Sequence, residues 1–219
     1  TLGLHAMADT RSGAVSFMEP RAGVQWIRGA WAWSAGTGLH SQMQSAYLYA
    51  SGRPEAMPNQ KLGFTRSWHN VIGMSRQVGK DWSIKVEAFY QHLFDIPVAD
   101  TTTTWGAENG SYSLINAGGG FSRLFPDTLI NDGTGRNFGV ELTMARAFRD
   151  GWFMLLTASA FDARYRGADG DLRNTDFNGR YAWNVLASKE WELGTAWRLV
   201  TGVKATMVGG RWYGPVDEE

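Results

Sequence analysis

The chain has 219 residues, with 21 lysines and arginines against 21 aspartates and glutamates, and no cysteine. Zero net charge gives no bulk attraction to nucleic acid, and the absence of cysteine excludes disulfides and thiolate metal sites. No stretch stays apolar over the roughly 20 residues that a membrane helix needs, and apolar residues do not recur at helical spacing.

Taken from the N-terminus, apolar and polar residues alternate along eight segments, and a period of two predicts β-strands. The predicted strands are residues 21–28, 31–40, 63–77, 82–98, 137–149, 152–167, 181–192 and 197–208, with an additional partial strand around 14–18. Many of these segments are longer than the usual strand of about 5–6 residues. They are long enough to cross a bilayer, which takes about 9–11 tilted residues.

Two kinds of connection alternate between the predicted strands. Short turns of the Gly-Lys-Asp and Asp-Gly kind fall near residues 28–30, 77–81, 149–151 and 193–196. Long polar connections span 41–62, 99–136, 167–180 and the residues from 209 onward. This alternation is typical of outer-membrane barrels, which have short periplasmic turns and long outer loops. The sequence therefore predicts an all-β, antiparallel up-and-down meander that is part of a transmembrane β-barrel.

Aromatic residues mark the ends of the predicted strands. Tryptophan lies beside a short turn in five places, at Trp31, Trp82, Trp152, Trp191 and Trp197. Because indole prefers the headgroup level of a membrane, we expect these five to form an inner girdle. A second girdle is expected toward the long loops, formed by Tyr90, His92, Phe94, Tyr181 and Trp183.

The phase of the alternation also predicts which side chains face lipid. We expect the lipid-facing set to include Ile84, Val86, Ala88, Val140, Leu142, Val185 and Val203. The polar phase, which carries Lys85, Glu87 and Lys204, is expected to face a hydrated lumen or a plug domain. A soluble sandwich produces the same alternation, with its polar phase in bulk water.

An ordered series of motifs resembles the barrel of TonB-dependent outer-membrane receptors. The run Asn-Asp-Gly-Thr-Gly-Arg-Asn-Phe-Gly-Val-Glu-Leu-Thr from Asn131, with residues 114–116 before it, is similar to a late hairpin of that family. The matching segments around it are residues 61–65, 87–91, 94–98, 156–159, 163–167, 173–179 and 209–213. The resemblance covers most of the chain from about residue 20.

The resemblance implies a barrel of about 22 strands around an N-terminal plug domain. It also implies import of a scarce small-molecule or glycan ligand (an iron chelate, cobalamin or a glycan), with energy delivered through TonB. Neither end of the chain has a signal segment, a plug, a TonB box or a final aromatic strand. We therefore expect residues 1–219 to be a single partial barrel domain of a protein in the cell outer membrane. Its expected partners are membrane lipid, the plug domain of the parent chain and, through the plug, TonB.

In such receptors the outer loops contact the ligand, and the 99–136 connection is the longest on this chain. It carries Trp105, Tyr112, Phe121 and Phe125, which we expect to contact the ligand by stacking or hydrophobic packing. The alternative is that this loop only seals the barrel mouth.

No catalytic, cofactor or metal site is expected. The four histidines lack metal-ligand spacing, and the acidic 169–176 segment lacks the glycine and glutamate of an EF-hand loop. Two other readings of the chain remain open. One is a soluble all-β glycan-binding module, and the other is a complete eight-stranded outer-membrane barrel.

Overall fold

The computed structural model of the protein describes residues 1–10, 12–50, 57–116 and 126–212. The strands within these ranges are β1 (Leu2–Ala8), β2 (Val15–Arg28), β3 (Trp31–Gln42), β4 (Thr65–Val78), β5 (Trp82–Ala99), β6 (Leu129–Arg149), β7 (Trp152–Arg166), β8 (Leu172–Asn174), β9 (Tyr181–Leu193) and β10 (Trp197–Val208). Two short helices, α1 (Ala46–Tyr49) and α2 (Thr104–Glu108), and a 3-10 turn over Pro58–Lys61 lie in the long connections. No helix in the described ranges is long and apolar enough to cross a membrane.

All ten strands belong to one antiparallel sheet. Each long strand pairs with its sequence neighbour, and the short β8 pairs with the end of β7 beside the β7–β9 pairing. β1 and β10 lie at the two edges, each with one strand neighbour among the described residues. The predicted all-β meander is confirmed, and the open edges contradict a small closed barrel in which the first strand would pair with the last.

The four short turns form where glycine permits a positive φ. Gly29, Gly79, Gly151 and Gly194 have φ between +60° and +73°. At the β6–β7 turn Asp150 also has a positive φ of 51°, so both central residues meet the requirement of a tight two-residue hairpin.

The sheet is larger than the eight predicted strands. The partial strand predicted around residues 14–18 belongs to β2, which extends to Arg28, and β1 was not predicted. β6 begins at Leu129 instead of residue 137, so the longest connection shortens to residues 100–128. Gly133 and Gly135 lie inside β6 because their backbones pair with β5 across an irregular stretch at Leu93–Ile96. Tertiary pairing here overrides the turn propensity of the local sequence.

Directly opposed residues of an antiparallel pair share a face of the sheet. One such row crosses eight strands and is apolar throughout: Trp26, Trp33, Met74, Val86, Leu142, Ala158, Trp183 and Met207. On β3 the row lies two residues from the short-turn end, at Trp33, and on β9 it lies ten residues from the short-turn end, at Trp183. This progressive stagger is the geometry of strands that tilt around a barrel wall.

Candidate functional site

One face of the sheet is an exposed apolar surface. The seven residues predicted to face lipid all lie on it, since the pairing register links their positions in rows of direct opposition. Val24, Ile72, Val140 and Val203 on this face are each at least half exposed. No second sheet covers them within the described residues, so the apolar face is a single continuous surface.

Tryptophans and cations line the short-turn end of this apolar face. All five tryptophans of the predicted inner girdle have the register phase of the apolar rows. The rings of Trp82 and Trp152 meet edge to face with centroids 5.9 Å apart. The arrangement is that expected where indole rings meet a membrane interface.

Arg146 lies beneath this aromatic pair and is almost completely buried. Its guanidinium carbon lies 3.9 Å from the centroid of the Trp152 ring. Nη1 donates to the carbonyl oxygens of Arg149 at 2.7 Å and Trp152 at 2.6 Å. Nη2 lies 3.6 Å from the Asp150 carboxylate. The Arg146 guanidinium thereby satisfies two backbone carbonyls where the register between β6 and β7 shifts, and it packs against the Trp152 ring.

The opposite face is mainly polar over the same strands. The row that crosses it at Lys85 runs through Ser75, Lys85, Thr143, Thr157, Asn184 and Thr206. Lys85 Nζ lies 2.7 Å from the carboxylate of Glu87, and Glu141 is directly opposite Glu87 in the register. A row of amides, hydroxyls and paired charges suits a hydrated interior.

A buried carboxylate lies near the long-loop end, on β2, and no sequence pattern predicted it. The Glu19 side chain is fully buried, and its Oε2 lies 2.8 Å from His5 Nδ1 and 3.3 Å from Arg21 Nη2. The rings of His40 and His69 lie nearby with centroids 4.6 Å apart. Pairing between β1 and β2 brings His5 to Glu19. The sequence pattern did not predict β1, so it did not predict this contact either.

The long connections meet in a hydrophobic cluster, called here the loop cluster. It consists of Leu48, Tyr49, Leu62 and Leu129, with Trp105, Tyr112 and Leu114 packed against it. Its members come from three separate parts of the chain, namely residues 43–64, the 100–128 connection and the start of β6. The loop cluster is therefore a small core at one end of the sheet.

Side-chain amides tie these connections to the sheet. The fully buried Asn59 donates to the carbonyl oxygen of Asp127 at 2.8 Å and accepts from the backbone N–H of Leu129 at 2.8 Å. Asn131 accepts from the N–H of Gly63 at 2.8 Å and donates to the carbonyl of Asp95 at 2.7 Å. These bonds hold residues 59–63 against β6.

The 167–180 connection joins the same assembly. Asn116 donates to the Asp176 carboxylate at 2.9 Å and accepts from the Asp176 backbone N–H at 2.7 Å. The indole N–H of Trp212 donates to the carbonyl of Asn178 at 2.8 Å. The acidic Asp169 is engaged by Arg173 at 2.7 Å, and this contact lowers the pKa of its carboxyl.

The structure brings together two of the four residues predicted to contact a ligand. The rings of Trp105 and Tyr112 meet edge to face with centroids 5.6 Å apart, and both are half-buried against the loop cluster. Burial, with the nearby Tyr47, raises the pKa of Tyr112 to about 12. Phe121 and Phe125 lie outside the described residues. The role of all four in ligand contact stays a prediction.

No family model matches the chain, and no curated protein is similar to it in sequence. Among solved structures it is similar to the FrpB iron transporter from Neisseria meningitidis. The F3-3 variant has a TM-score of 0.51 and 15% identity, over 83% of this chain and 26% of that one. The F5-1 variant, in apoprotein form, has a TM-score of 0.52 and 16% identity, over 82% and 25%.

The P. putida toluene transporter TodX is also similar, with a TM-score of 0.39 and 10% identity over 93% of this chain and 58% of that one. The chain spans about a quarter of the length of the two FrpB structures. The FrpB likeness concerns the fold, and it agrees with the antiparallel meander. The chain has the fold of part of an outer-membrane β-barrel.

Proposed function

We propose that the chain forms part of the barrel wall of a TonB-dependent receptor in the cell outer membrane. The parent protein would take up a scarce ligand such as an iron chelate, cobalamin or a glycan, and this section has no catalytic role. The observation that carries the proposal is the exposed apolar face, crossed by an apolar row over eight strands and backed by a polar face.

Burial of apolar residues supports the membrane setting. A soluble sandwich packs the inner faces of two sheets about 10 Å apart. Among the described residues, the buried apolar side chains lie in the loop cluster, at Phe64 just before β4, and at the loop ends of β5 (Ile96, Val98 and Ala99) and β7 (Tyr165). The middle of the sheet has none of them, so lipid is the environment in which its apolar face is stable.

The proposal also gives the chain an orientation and partners. The short turns would lie in the periplasm and the loop cluster outside, where an incoming ligand arrives first. The polar face would border a plug domain supplied by the parent chain, through which TonB acts. Further strands of the parent barrel would pair with the open edges of β1 and β10, since an unpaired edge is costly in a membrane.

Cell fractionation tests the location. The full-length protein should enter the outer-membrane fraction and migrate differently on gels before and after boiling, as folded barrels do. A β-folded, monodisperse protein in detergent-free buffer would contradict the proposal and favour the glycan-binding module.

Uptake assays test the transport function. Cells that express the full-length protein would be given ferrichrome, cyanocobalamin or maltohexaose, in strains with and without TonB. Uptake of one probe that depends on both TonB and the protein supports the proposal. TonB-independent uptake would leave an outer-membrane transporter of another class.

We further propose that the 100–128 connection takes part in ligand binding through Trp105, Tyr112, Phe121 and Phe125. The edge-to-face contact of Trp105 with Tyr112 at the loop end supports this. Deletion of residues 101–111 should weaken ligand binding on whole cells, at unchanged surface expression. Phe177→Ala is the matched control, because Phe177 is an exposed aromatic in the neighbouring connection. Unchanged affinity after the deletion would exclude residues 101–111 from the recognition site.

A further inference from the structure

Two arginines flank a tryptophan at the short-turn end of the apolar face. Arg28 on β2 and Arg76 on β4 are each directly opposite Trp31 on β3, so the three side chains form one row. The guanidinium carbon of Arg76 lies 4.7 Å from the centroid of the Trp31 ring. Both arginines are exposed. We call these three residues the Arg-Trp-Arg row.

Within the described residues, no carboxylate neutralises the charge of this row. Two other arginines at the same end pair with carboxylates: Arg149 with Asp81 at 3.0 Å and Arg146 with Asp150 at 3.6 Å. Neither Arg28 nor Arg76 forms an ion pair with a carboxylate in the part of the chain that the structure describes. Two positive charges therefore lie beside an indole ring, at the border of an apolar surface.

An apolar groove begins one row above. Its cavity volume is about 470 Å³, and its lining includes Trp26, Trp33, Met74 and Ile72, with the small side chains of Ala35 and Ala88 between them. From Trp31 to Ala35 the strand rises ~14 Å, at about 3.4 Å per residue. At the ~45° tilt of a membrane strand, this rise corresponds to a depth of ~10 Å, about two thirds of one leaflet of the ~30 Å hydrocarbon core.

We propose that the Arg-Trp-Arg row binds the phosphodiester of an anionic phospholipid, one acyl chain of which lies in this groove. The inference rests on the proposed function, which puts the short turns at the periplasmic membrane surface. Guanidinium groups donate paired hydrogen bonds to phosphate oxygens, and indole prefers the headgroup region of a bilayer. An anionic headgroup fits better than a zwitterionic one, because two unpaired guanidinium groups repel the ammonium of the latter.

The test uses the full-length protein in lipid nanodiscs made of phosphatidylglycerol or of phosphatidylcholine. Native mass spectrometry measures phospholipid retention, and a thermal melt measures stability. Each arginine near an anionic surface is worth roughly fivefold in affinity. The double variant Arg28→Gln/Arg76→Gln should therefore lose roughly 25-fold in its preference for phosphatidylglycerol.

Two further variants test whether the lipid preference is specific to this row of arginines and whether lipid retention also needs the groove. Arg198→Gln/Lys204→Gln removes the same charge from the opposite face, where Arg198 pairs with Glu190 at 3.5 Å. It should leave the preference unchanged. Ala35→Leu fills the groove without changing charge and should reduce retention of both lipids.

Three results would overturn the inference: equal lipid preference in the Arg28/Arg76 double variant and the wild type, an equal loss in the opposite-face control, or full retention in Ala35→Leu. Failure here is distinguishable from failure of the proposed function. A protein that enters the outer membrane and supports uptake, yet shows no lipid preference, would refute the lipid site alone. A protein absent from the outer membrane would refute the proposed function itself.

Discussion

Substituting Leu142 by arginine places a charge on the proposed lipid face at the depth where it costs most. Leu142 lies seven residues before Arg149, where β6 ends at a short turn, and is opposed by Val86 and Ala158. At ~3.4 Å per residue and a tilt of ~45°, it lies roughly 17 Å from that turn. That depth is near the middle of an apolar band about 25 Å tall, so Leu142→Arg should destabilise the barrel by about 2–4 kcal/mol.

Thr143→Arg is the matched control, because the next residue points to the polar face. It is directly opposite Lys85, whose charge is already paired with Glu87. The cost there should be about 1 kcal/mol or less, as for surface substitutions generally. Reversible denaturant unfolding of the full-length protein in lipid vesicles, followed by tryptophan fluorescence, measures both free energies.

The relation between the two losses decides the assignment of faces. A larger loss for Leu142→Arg supports lipid on the apolar side. Equal losses at the two positions would refute the assignment, and a larger loss for Thr143→Arg would reverse it.

Three further outcomes are expected. Arg146→Met should lower the free energy of unfolding by about 2–4 kcal/mol, because two backbone carbonyls lose their donor and Trp152 loses its cation. Arg146→Lys, which keeps the charge, should restore only part of that free energy. Asn59→Ala should speed hydrogen exchange at the Leu129 amide and leave exchange in the Val140–Leu142 segment of β6 unchanged, since the lost bonds tie down the loops and not the wall. Burial raises the pKa of Tyr112 to about 12, against about 10 in the unfolded chain. The buried neutral phenol therefore contributes fully to folding stability below pH ~10, and this contribution is lost as the pH rises toward ~12. Limited proteolysis should therefore show loop opening over that pH range in the wild type and less of it in Tyr112→Phe.

Local pattern was sufficient to predict the strands that form the wall. Alternation from Trp82 predicted a strand over residues 82–98, and the structure has Trp82–Ala99. The short turns were predictable because glycine at a hairpin has a local conformational reason to be there. The faces followed from the same period of two, since one face must be apolar and the other polar.

Long-range pairing was what the sequence concealed. The first residues of β6 resemble a loop in composition, and they form a strand only because β5 lies beside them. β1 is short and was missed, and with it the contact between His5 and Glu19. The loop cluster was equally hidden, since Asn59 bonds to the backbone of Leu129 from 70 residues away.

The two ends of the sheet derive their stability from different sources. At the short-turn end, side chains such as Arg146 satisfy the backbone, and under the proposed function the apolar face depends on lipid for burial. At the loop end, Leu48, Leu62 and Leu129 form a core of their own, fixed by buried amides. A ligand that arrives from outside would therefore meet connections already packed against one another, and Trp105 would be positioned by that packing before any contact is made. Recognition by this part of a receptor would then depend on the loop cluster as a unit, because preorganised groups lose less entropy on binding.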